Sequence, residues 1–162
     1  MKTTILIISD IHGDLKTLEK ILKSQSYDYA ISAGDHLLSY DLMQKYFDFF
    51  VAGNNDFDQA RTSLDFEIMG KKIHLEHGHL IGSYNQLINS KFMEKVLKNS
   101  SFDILIYGHS HMNLLTKYED KIAINPGSIS LPRFSSQKSF AILTIANNKM
   151  NVEFKNVETL DI

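Results

Sequence analysis

The sequence predicts an α/β fold in which two β-sheets of mixed parallel and antiparallel strands pack together and are flanked by helices. The first part of the chain alternates apolar, β-branched runs with amphipathic stretches, which is the order of a parallel βαβ unit. Past Gly108, short strand-like runs follow one another through tight turns, which indicates antiparallel pairing. The 162 residues contain no repeat, low-complexity tract or linker, so one domain over residues 1–162 is expected.

The first half of the chain opens with an apolar run, Thr3 to Ser9, that predicts a buried parallel strand because both of its faces are apolar. Asp14 is a suitable N-cap for a helix whose apolar stripe runs from Leu15 to Leu22. The other elements predicted in this half are a strand at 27–33, a helix at 41–46, a strand at 48–51, a hairpin of 64–69 and 72–76 that turns at Gly70-Lys71, and a helix at 84–97.

The second half is predicted to contain five short strands. The first of them, 102–107, ends at Gly108. Asp120 and the pair Asn147-Asn148 supply turn chemistry between later strands. Those strands are expected at 114–118, 121–124, 139–145 and 151–157, with antiparallel neighbours.

The composition excludes several classes of protein. A net charge of −2, with 17 Lys and Arg against 19 Asp and Glu, leaves no strong electrostatic footprint for duplex nucleic acid. The absence of cysteine excludes disulfides, thiolate metal sites and cysteine nucleophiles. No run approaches the ~20 apolar residues of a membrane span, and the first apolar run is too short for a signal peptide. We therefore expect a cytoplasmic protein with no membrane partner.

Five predicted strand ends carry carboxylate, amide or imidazole side chains. In α/β sheets, ligands collect at the carboxyl ends of the strands, so these groups are expected to meet. In an extended backbone, residues i and i+2 point to the same side, so each Asp-x-His or His-x-His pair can aim two ligands at one place. The five segments are Asp10-Ile11-His12, Gly34-Asp35, Gly53-Asn54-Asn55-Asp56, His77-Gly78-His79 and Gly108-His109-Ser110-His111.

The donor atoms in these segments are oxygen and nitrogen, without sulfur. Such a set suits Mn²⁺, Fe²⁺, Zn²⁺ or Co²⁺ in a mixed site. These segments offer more candidate ligands than one tetrahedral ion can bind. They fit two ions that share a bridging carboxylate, an arrangement that clamps the attacking and leaving oxygens of a phosphoryl transfer.

The same segments resemble the calcineurin-like metallophosphoesterase superfamily, and in particular its small prokaryotic phosphodiesterase branch. The family pattern runs D-x-H, G-D, G-N-x-[DE], H-G-H and G-H-x-H, and all five blocks occur here in that order between residues 10 and 111. The later string Asn125-Pro126-Gly127-Ser128 is also similar to one found in that branch. The ordered set is specific, although each block alone is weak.

The resemblance implies an α/β/β/α metallophosphoesterase-like fold and a dinuclear phosphodiesterase in which a metal-bridging hydroxide is the nucleophile. It implies two divalent ions, with Mn expected and Fe, Zn, Co or Ni as alternatives. The substrate would be a phosphoester of small-molecule or nucleotide type, and the protein would form a homo-oligomer. By position, Asp10, His12 and His111 would bind the first ion, Asn54, His77 and His109 the second, and Asp35 both.

Asn55 marks a departure from the family pattern. Many members have a histidine there that protonates the leaving oxygen, whereas an amide can orient a phosphate but cannot act as an acid. Asn55 and His79 are therefore predicted to contact the substrate phosphate, although His79 could equally form hydrogen bonds within its loop. Asp56 is expected to orient a neighbouring group rather than to bind metal.

Several polar residues have an ordinary structural alternative. His36 is expected to pack at the surface or in a loop, and His74 is expected to be structural. Arg133 could place a charge near the phosphate or could be a solvated loop residue. Asn125-Pro126-Gly127-Ser128 could be a plain turn, or its backbone amides could support the metal-site loops.

Two other functions also remain open. A phosphomonoesterase would use the same kind of metal site. A non-catalytic protein-interaction scaffold would share the fold, but in such a scaffold the ligand set is incomplete, whereas all seven positions here carry competent ligands.

Overall fold

The computed structural model describes residues 1–160, so the last two residues of the domain expected over 1–162 lie outside it. Over residues 1–160, two five-stranded sheets are present, together with four short α-helices and one 3-10 helix at Val157–Thr159. The strands are β1 (Lys2–Ile8), β2 (Tyr29–Ser32), β3 (Phe49–Phe50), β4 (Ser63–Ile68), β5 (Lys71–Glu76), β6 (Ile104–Ile106), β7 (Leu114–Tyr118), β8 (Lys121–Asn125), β9 (Ser139–Ala146) and β10 (Lys149–Asn156). The helices are α1 (Leu15–Ser24), α2 (Tyr40–Tyr46), α3 (Tyr84–Leu87) and α4 (Ser90–Lys98).

The first sheet has the strand order β10-β9-β1-β2-β3. Strands β1, β2 and β3 are parallel to one another, whereas β9 and β10 are antiparallel to their neighbours. Asp14 caps α1 as predicted, accepting a hydrogen bond from the amide of Thr17. The carboxyl ends of β1 and β2 therefore lie side by side at one edge of this sheet.

The second sheet has the order β4-β5-β6-β8-β7. Its central strands β5, β6 and β8 are parallel, and its outer strands β4 and β7 are antiparallel to their neighbours. The antiparallel arrangement expected beyond Gly108 is wrong in part, because β8 pairs in parallel with β6. It is confirmed for the pair β7 and β8, and for β9, which pairs antiparallel with β1 and β10 of the first sheet. The two-sheet mixed sandwich itself is confirmed.

The main core lies between the two sheets. It is formed by side chains from both, including Ile5 and Ile7 of β1, Ile73 of β5 and Ile106 of β6. A second apolar cluster lies beneath α1 and α2 on the outer face of the first sheet, and a third lies beneath α4 on the second. The layers are therefore helix, sheet, sheet and helix, which matches the predicted α/β/β/α order.

Two element boundaries differ from the sequence prediction. The helix expected over 84–97 is broken, because Asn89 accepts the amide of Phe92 and caps a separate helix. The hairpin turn lies at Met69-Gly70 rather than at Gly70-Lys71. Both turn residues have positive φ, 53° and 78°, as a tight hairpin with a primed turn requires.

Within the described residues, 1–160, no helix is both long enough and apolar enough to cross a lipid bilayer.

Candidate metal centre

The predicted ligand segments follow strands of both sheets. Asp10 and Asp35 lie just beyond β1 and β2 of the first sheet, and His77 and His109 lie just beyond β5 and β6 of the second. Backbone hydrogen bonds join these loops in pairs. The amide of Asp10 donates to the carbonyl of Gly34 (3.1 Å), and the amide of Gly108 donates to the carbonyl of His77 (2.8 Å). The carboxyl ends of the parallel strands therefore bring the segments together.

Asp10 is the centre of the first group of donors. Its Oδ1 lies 3.2 Å from Nε2 of His111 and 3.8 Å from Nε2 of His12. Asp10 and His111 are buried, and the side chain of His12 is only 16% exposed. One donor atom from each of these three residues lies within 4.8 Å of the others, close enough to share a cation.

Asp35 joins a second group with Asp10 and His77. Its Oδ2 lies 3.3 Å from Nε2 of His77 and 3.7 Å from Nε2 of His12. Donor atoms of Asp10, Asp35 and His77 also lie within 4.8 Å of one another. Asp10 thus belongs to both groups, while the Asp35 carboxylate contacts a histidine of each.

His109 and Asn54 differ in how closely they approach these groups. Nδ1 of His109 lies 3.2 Å from Nε2 of His77, and the amide of His109 donates to Oδ2 of Asp10 (3.1 Å). Asn54 is exposed, and within residues 1–160 no hydrogen bond connects its side chain to the cluster. Six of the seven predicted metal ligands are therefore neighbours, and Asn54 lies at the open side.

Two histidines are oriented by backbone carbonyls. Nδ1 of His77 donates to the carbonyl of Ala33 (2.8 Å), and Nδ1 of His111 donates to the carbonyl of Leu131 (2.6 Å). With Nδ1 occupied in this way, Nε2 faces the carboxylates. Such carbonyl partners are typical of histidines that bind metal, because they fix the ring and the tautomer.

Five of the seven predicted ligand residues have a left-handed backbone. Positive φ angles occur at Asp10 (53°), His12 (47°), Asp35 (54°), His109 (74°) and His111 (60°). The extended backbone expected for the Asp-x-His and His-x-His pairs is therefore wrong at Asp10, His12, His109 and His111. Tight left-handed turns at these residues bring the side chains together instead. Side chains other than glycine adopt this region at a cost, and clusters of such residues are characteristic of functional sites.

Glycine is required where these loops approach one another. A Cβ on Gly108 would overlap Oγ of Ser9 and would lie 2.6 Å from Oδ2 of Asp10. A Cβ on Gly53 would overlap the Asp35 carboxylate and would lie 2.6 Å from the Asp35 amide. The loops thus approach one another so closely at these two positions that only glycine fits.

The two buried carboxylates are held ionised by the surrounding imidazoles. Burial alone would raise the pKa of Asp10, but its contacts with His111 and His12 and the charge of His77 outweigh burial and hold that pKa well below its usual value. Burial opposes ionisation of Asp35 as well, yet His77 and the Asn55 amide lower its pKa to about 2.

The pKa values of two imidazoles, those of His77 and His109, are shifted in opposite directions. Burial would lower the pKa of His77, but Asp35 and Asp10 together raise it, so that a proton on this ring compensates the carboxylates. Burial and the charge of His77 lower the pKa of His109 to about 4. The cluster therefore favours positive charge at its centre and neutral, ligand-competent nitrogen at His109.

Two buried polar atoms at the centre have no hydrogen-bond partner among the described residues. They are Oδ1 of Asp10 and Nε2 of His12, which face each other. Buried polar atoms are rarely left without a partner, and a cation between these two would satisfy both. The oxygen and nitrogen donors, their burial and these orphaned atoms all fit a divalent transition-metal ion.

The predicted substrate contacts, Asn55 and His79, lie beside the cluster. The Asn55 side chain donates to Oδ2 of Asp35 (2.8 Å) and its amide donates to Oδ1 (2.9 Å). The ring of His79 lies 5.6 Å from that of His77, and its buried Nδ1 has no partner within residues 1–160. Asp56 accepts the amide of Asp35 (2.7 Å), so it orients the loop that carries that carboxylate.

His36 and His74 lie outside the ligand cluster. His36 is fully buried rather than at the surface, with Nε2 at 2.7 Å from Oδ2 of Asp58. His74 bridges Asp65 (2.7 Å) and Glu76 (2.8 Å) on the second sheet, as a structural residue does.

The string that begins at Asn125 supports the ligand loops through side chains rather than through its backbone amides. Oγ of Ser128 donates to the carbonyl of Asp10 (2.7 Å). Nδ2 of Asn125 donates to the carbonyl of Gly108 (3.1 Å) and to Oγ of Ser110 (2.9 Å). The sequence pointed to this string but not to these bonds, because they span loops that meet only in the folded chain.

Tyr84 is a neighbour of the site that sequence analysis missed. Its ring stacks on that of His109 at 4.5 Å between centroids, with 17° between the planes. Arg133 is exposed and lies over the Tyr84 ring, with its guanidinium carbon 4.9 Å from the centroid. An aromatic residue at the start of a short helix carries no signal in sequence that would reveal these contacts.

Comparison with known proteins decides the family to which this site belongs. The model of the calcineurin-like phosphoesterase superfamily domain matches residues 3–148. The chain belongs to this superfamily. A probable metallophosphoesterase of Bacillus subtilis strain 168, YsnB, is 36% identical over 155 residues, which cover 93% of this chain and 89% of that protein. The phosphodiesterase YfcE of Escherichia coli K12 is 26% identical over 168 residues, covering 86% of each.

Solved structures agree with this family. The crystal structure of a predicted phosphoesterase from Streptococcus pneumoniae TIGR4 superposes with a TM-score of 0.79 at 28% identity, covering 98% of this chain and 91% of that one. As a calcineurin-like phosphoesterase, the protein is a metal-dependent phosphoester hydrolase. Its cluster of aspartates and histidines is the place where divalent ions can bind.

Proposed function

We propose that the protein hydrolyses phosphodiesters with two divalent cations held at this cluster. The observation that carries the proposal is the position of the Asp35 carboxylate between two groups of donors, with its Oδ2 3.7 Å from Nε2 of His12 and 3.3 Å from Nε2 of His77. Two ions need two adjacent donor sets and a carboxylate between them. A single tetrahedral site would not use so many ligands.

In this proposal Asp10, His12 and His111 hold one ion, while Asn54, His77 and His109 hold the other, and Asp35 contacts both. When bound, the ions supply Lewis acidity and lower the pKa of water, so that hydroxide is available near neutral pH. The carbonyls of Ala33 and Leu131 keep the rings of His77 and His111 turned toward the ions. We take Mn²⁺ as the native ion, with Fe, Zn, Co or Ni as alternatives that the same donors accept.

An ester with a good leaving group suits this site, and a diester is the substrate class that we propose. The position that would hold an acidic histidine holds Asn55, whose side chain donates to Asp35 and has no proton to give a leaving oxygen. Expulsion of the leaving group therefore depends on its own acidity. The name of the similar protein YfcE, a phosphodiesterase, points in the same direction.

The proposal is tested with purified protein loaded with Mn²⁺ and assayed on bis(p-nitrophenyl) phosphate and on p-nitrophenyl phosphate. We expect faster turnover of the diester, abolished by chelation. Asp35→Ala should lose roughly 10³-fold in kcat/KM because it disturbs both ions, whereas His79→Ala should lose at most about 100-fold. Elemental analysis of both variants reports bound metal independently of activity.

Each other outcome has a definite meaning. Preference for the monoester would support the phosphomonoesterase alternative. A protein that binds no metal and turns over neither substrate would support a scaffold instead. Equal losses in the Asp35 and His79 variants would contradict the bridging role of Asp35.

A further inference from the structure

A column of stacked side chains extends outward from the ligand cluster. His109, whose Nδ1 faces His77, is covered by the ring of Tyr84 at 4.5 Å, and Tyr84 is covered in turn by the guanidinium of Arg133 at 4.9 Å. The Tyr84 ring therefore contacts both a histidine of the cluster and the guanidinium, and the cation–π contact helps to hold the guanidinium in place.

The segment that carries Arg133 is fastened to the backbone of the ligand loops. The Arg133 amide donates to the carbonyl of His111 (3.1 Å), and the Leu131 carbonyl accepts from Nδ1 of the same histidine (2.6 Å). On the other side, Oγ of Ser130 donates to the carbonyl of Ile11 (3.0 Å). The backbone of Arg133 is thus held against the loops of the candidate metal ligands and does not belong to a free loop.

The charge of Arg133 has no partner of opposite sign in the part of the chain that the structure describes. The ion pairs of lysine or arginine found over residues 1–160 are Lys138 with Glu158 and Lys155 with Glu153. Arg133 is exposed, and its guanidinium carbon lies 4.9 Å from the centroid of the Tyr84 ring that stacks on His109. An unpaired guanidinium at the mouth of a site for anionic esters is available to the substrate.

We propose that Arg133 is a substrate-binding residue whose guanidinium binds a non-bridging phosphate oxygen, and that Tyr84 is the positioning residue that holds it there. The inference rests on the proposed function, since it takes a phosphoester as the ligand. A phosphate held at the cluster through one oxygen has further non-bridging oxygens, and these are the atoms that the guanidinium would bind. The planar fork of arginine matches two such oxygens, which a lysine cannot do.

Arg133 lies outside the donor groups, so its contact should be equally strong in the ground state and in the transition state. Uniform binding of this kind changes KM and leaves kcat nearly constant. Loss of one charged hydrogen-bonding partner corresponds to roughly a tenfold or greater loss of affinity.

The test compares Arg133→Gln, Arg133→Lys and Tyr84→Ala in the Mn²⁺-loaded full-length protein. For Arg133→Gln we expect KM for bis(p-nitrophenyl) phosphate and the inhibition constant of inorganic phosphate to rise about tenfold, with kcat within about twofold. Arg133→Lys should recover part of the loss. Tyr84→Ala should raise KM in the wild-type background and should add nothing in the Arg133→Gln background, because the two residues act as a unit. Tyr84→Phe keeps the ring and should behave as the wild type.

Arg61→Gln is the matched control, because Arg61 also follows a ligand segment but lines a separate cavity with Phe49 and Phe50. It should leave KM unchanged, and an equal rise in KM for Arg61→Gln would overturn the specific contact of Arg133.

The rise in melting temperature caused by inorganic phosphate gives a readout without turnover. If the wild type hydrolyses diesters and Arg133→Gln binds both ligands normally, the inference is wrong. If no diester is hydrolysed but phosphate protection is lost in Arg133→Gln, the proposed function fails and the inference stands.

Discussion

Asp10 divides its two carboxylate oxygens between the protein and the ligand cluster. Its Oδ2 accepts from Oγ of Ser9 (2.7 Å) and from the amide of His109 (3.1 Å). Its Oδ1 receives no hydrogen bond and faces the imidazoles. Anchoring one oxygen fixes the direction of the other, which is how a buried aspartate is kept rigid and still free to coordinate.

Gly108→Ala should disturb this anchoring. The added Cβ would press on Ser9 and on the anchored oxygen of Asp10, so we expect about 1–3 kcal/mol less stability and weaker metal binding. Gly70→Ala is the control. Its Cβ meets nothing within 4 Å, although its φ of 78° makes alanine unfavourable by about 1 kcal/mol. Both variants should melt earlier, but only Gly108→Ala should bind Mn²⁺ more weakly by calorimetry. Equal metal affinity in the two proteins would contradict the steric argument.

The hairpin of β4 and β5 is joined across its strands by His74. This residue lies directly opposite Asp65 and contacts Asp65 and Glu76 through its two ring nitrogens, and its ring stacks on Phe102 at 5.2 Å. The hydrogen bond that the His74 ring donates to Glu76 outweighs burial and, with the hydrogen bond to Asp65, raises the pKa of His74 above 6.5. The charged form therefore stabilises the fold.

His74→Gln should show this effect as a pH-dependent loss of stability. Because the pKa is raised in the folded state, the stabilisation is complete below the unfolded value of 6.5 and disappears as pH rises through the folded pKa. In chelator, urea unfolding should show a deficit of about 0.5–1 kcal/mol near pH 6 that shrinks toward about pH 9. A deficit that is the same at both pH values would show that packing on Phe102, rather than charge, is responsible.

The elements that could be predicted from sequence are those whose pattern is local. Strand β1 and helix α1 were found because an unbroken apolar run and an amphipathic stripe with Asp14 as cap are encoded in adjacent residues. The break at Asn89 was missed because apolar spacing continues across it. The partner of β9 was missed because sheet membership depends on residues far apart in the chain.

The same distinction applies to the metal site. The segments that meet were predicted, since strand ends at one edge of a sheet converge for topological reasons. The left-handed backbone at His12 and the stacking of Tyr84 on His109 were not, because both depend on contacts between separate loops. The assignment of each side chain to one ion stays a prediction.

At the scale of the whole molecule, the cluster lies between the two sheets. Asp10, His12 and Asp35 come from loops of the first sheet, whereas His77, His109 and His111 come from loops of the second. Ions bound to both sets would link the two halves of the sandwich. Two buried, ionised aspartates close together also repel each other when no cation lies between them.

Removal of metal should therefore lower the stability of the entire fold. A ligand present at 100 times its dissociation constant stabilises the native state by ~2.7 kcal/mol. For a chain of this length that corresponds to a melting temperature about 5–10 °C higher with Mn²⁺ than in chelator, measured by calorimetry. Asp10→Asn should abolish the difference, and circular dichroism should show that the variant retains its secondary structure. A melting temperature that is indifferent to Mn²⁺ would contradict metal binding at this cluster.

The left-handed turns at the predicted ligand positions make some evolutionary changes of the site easier than their reversal. Each such residue other than glycine is tolerated at a cost of about 1 kcal/mol or more, which metal coordination would offset in the proposed site. In a lineage that no longer needs hydrolysis, replacement of His109 or His111 by glycine would relieve the backbone and would be favoured by selection for stability alone. Return to activity would then require several unfavourable substitutions at once, so loss of the ligands in this fold is easier than their recovery.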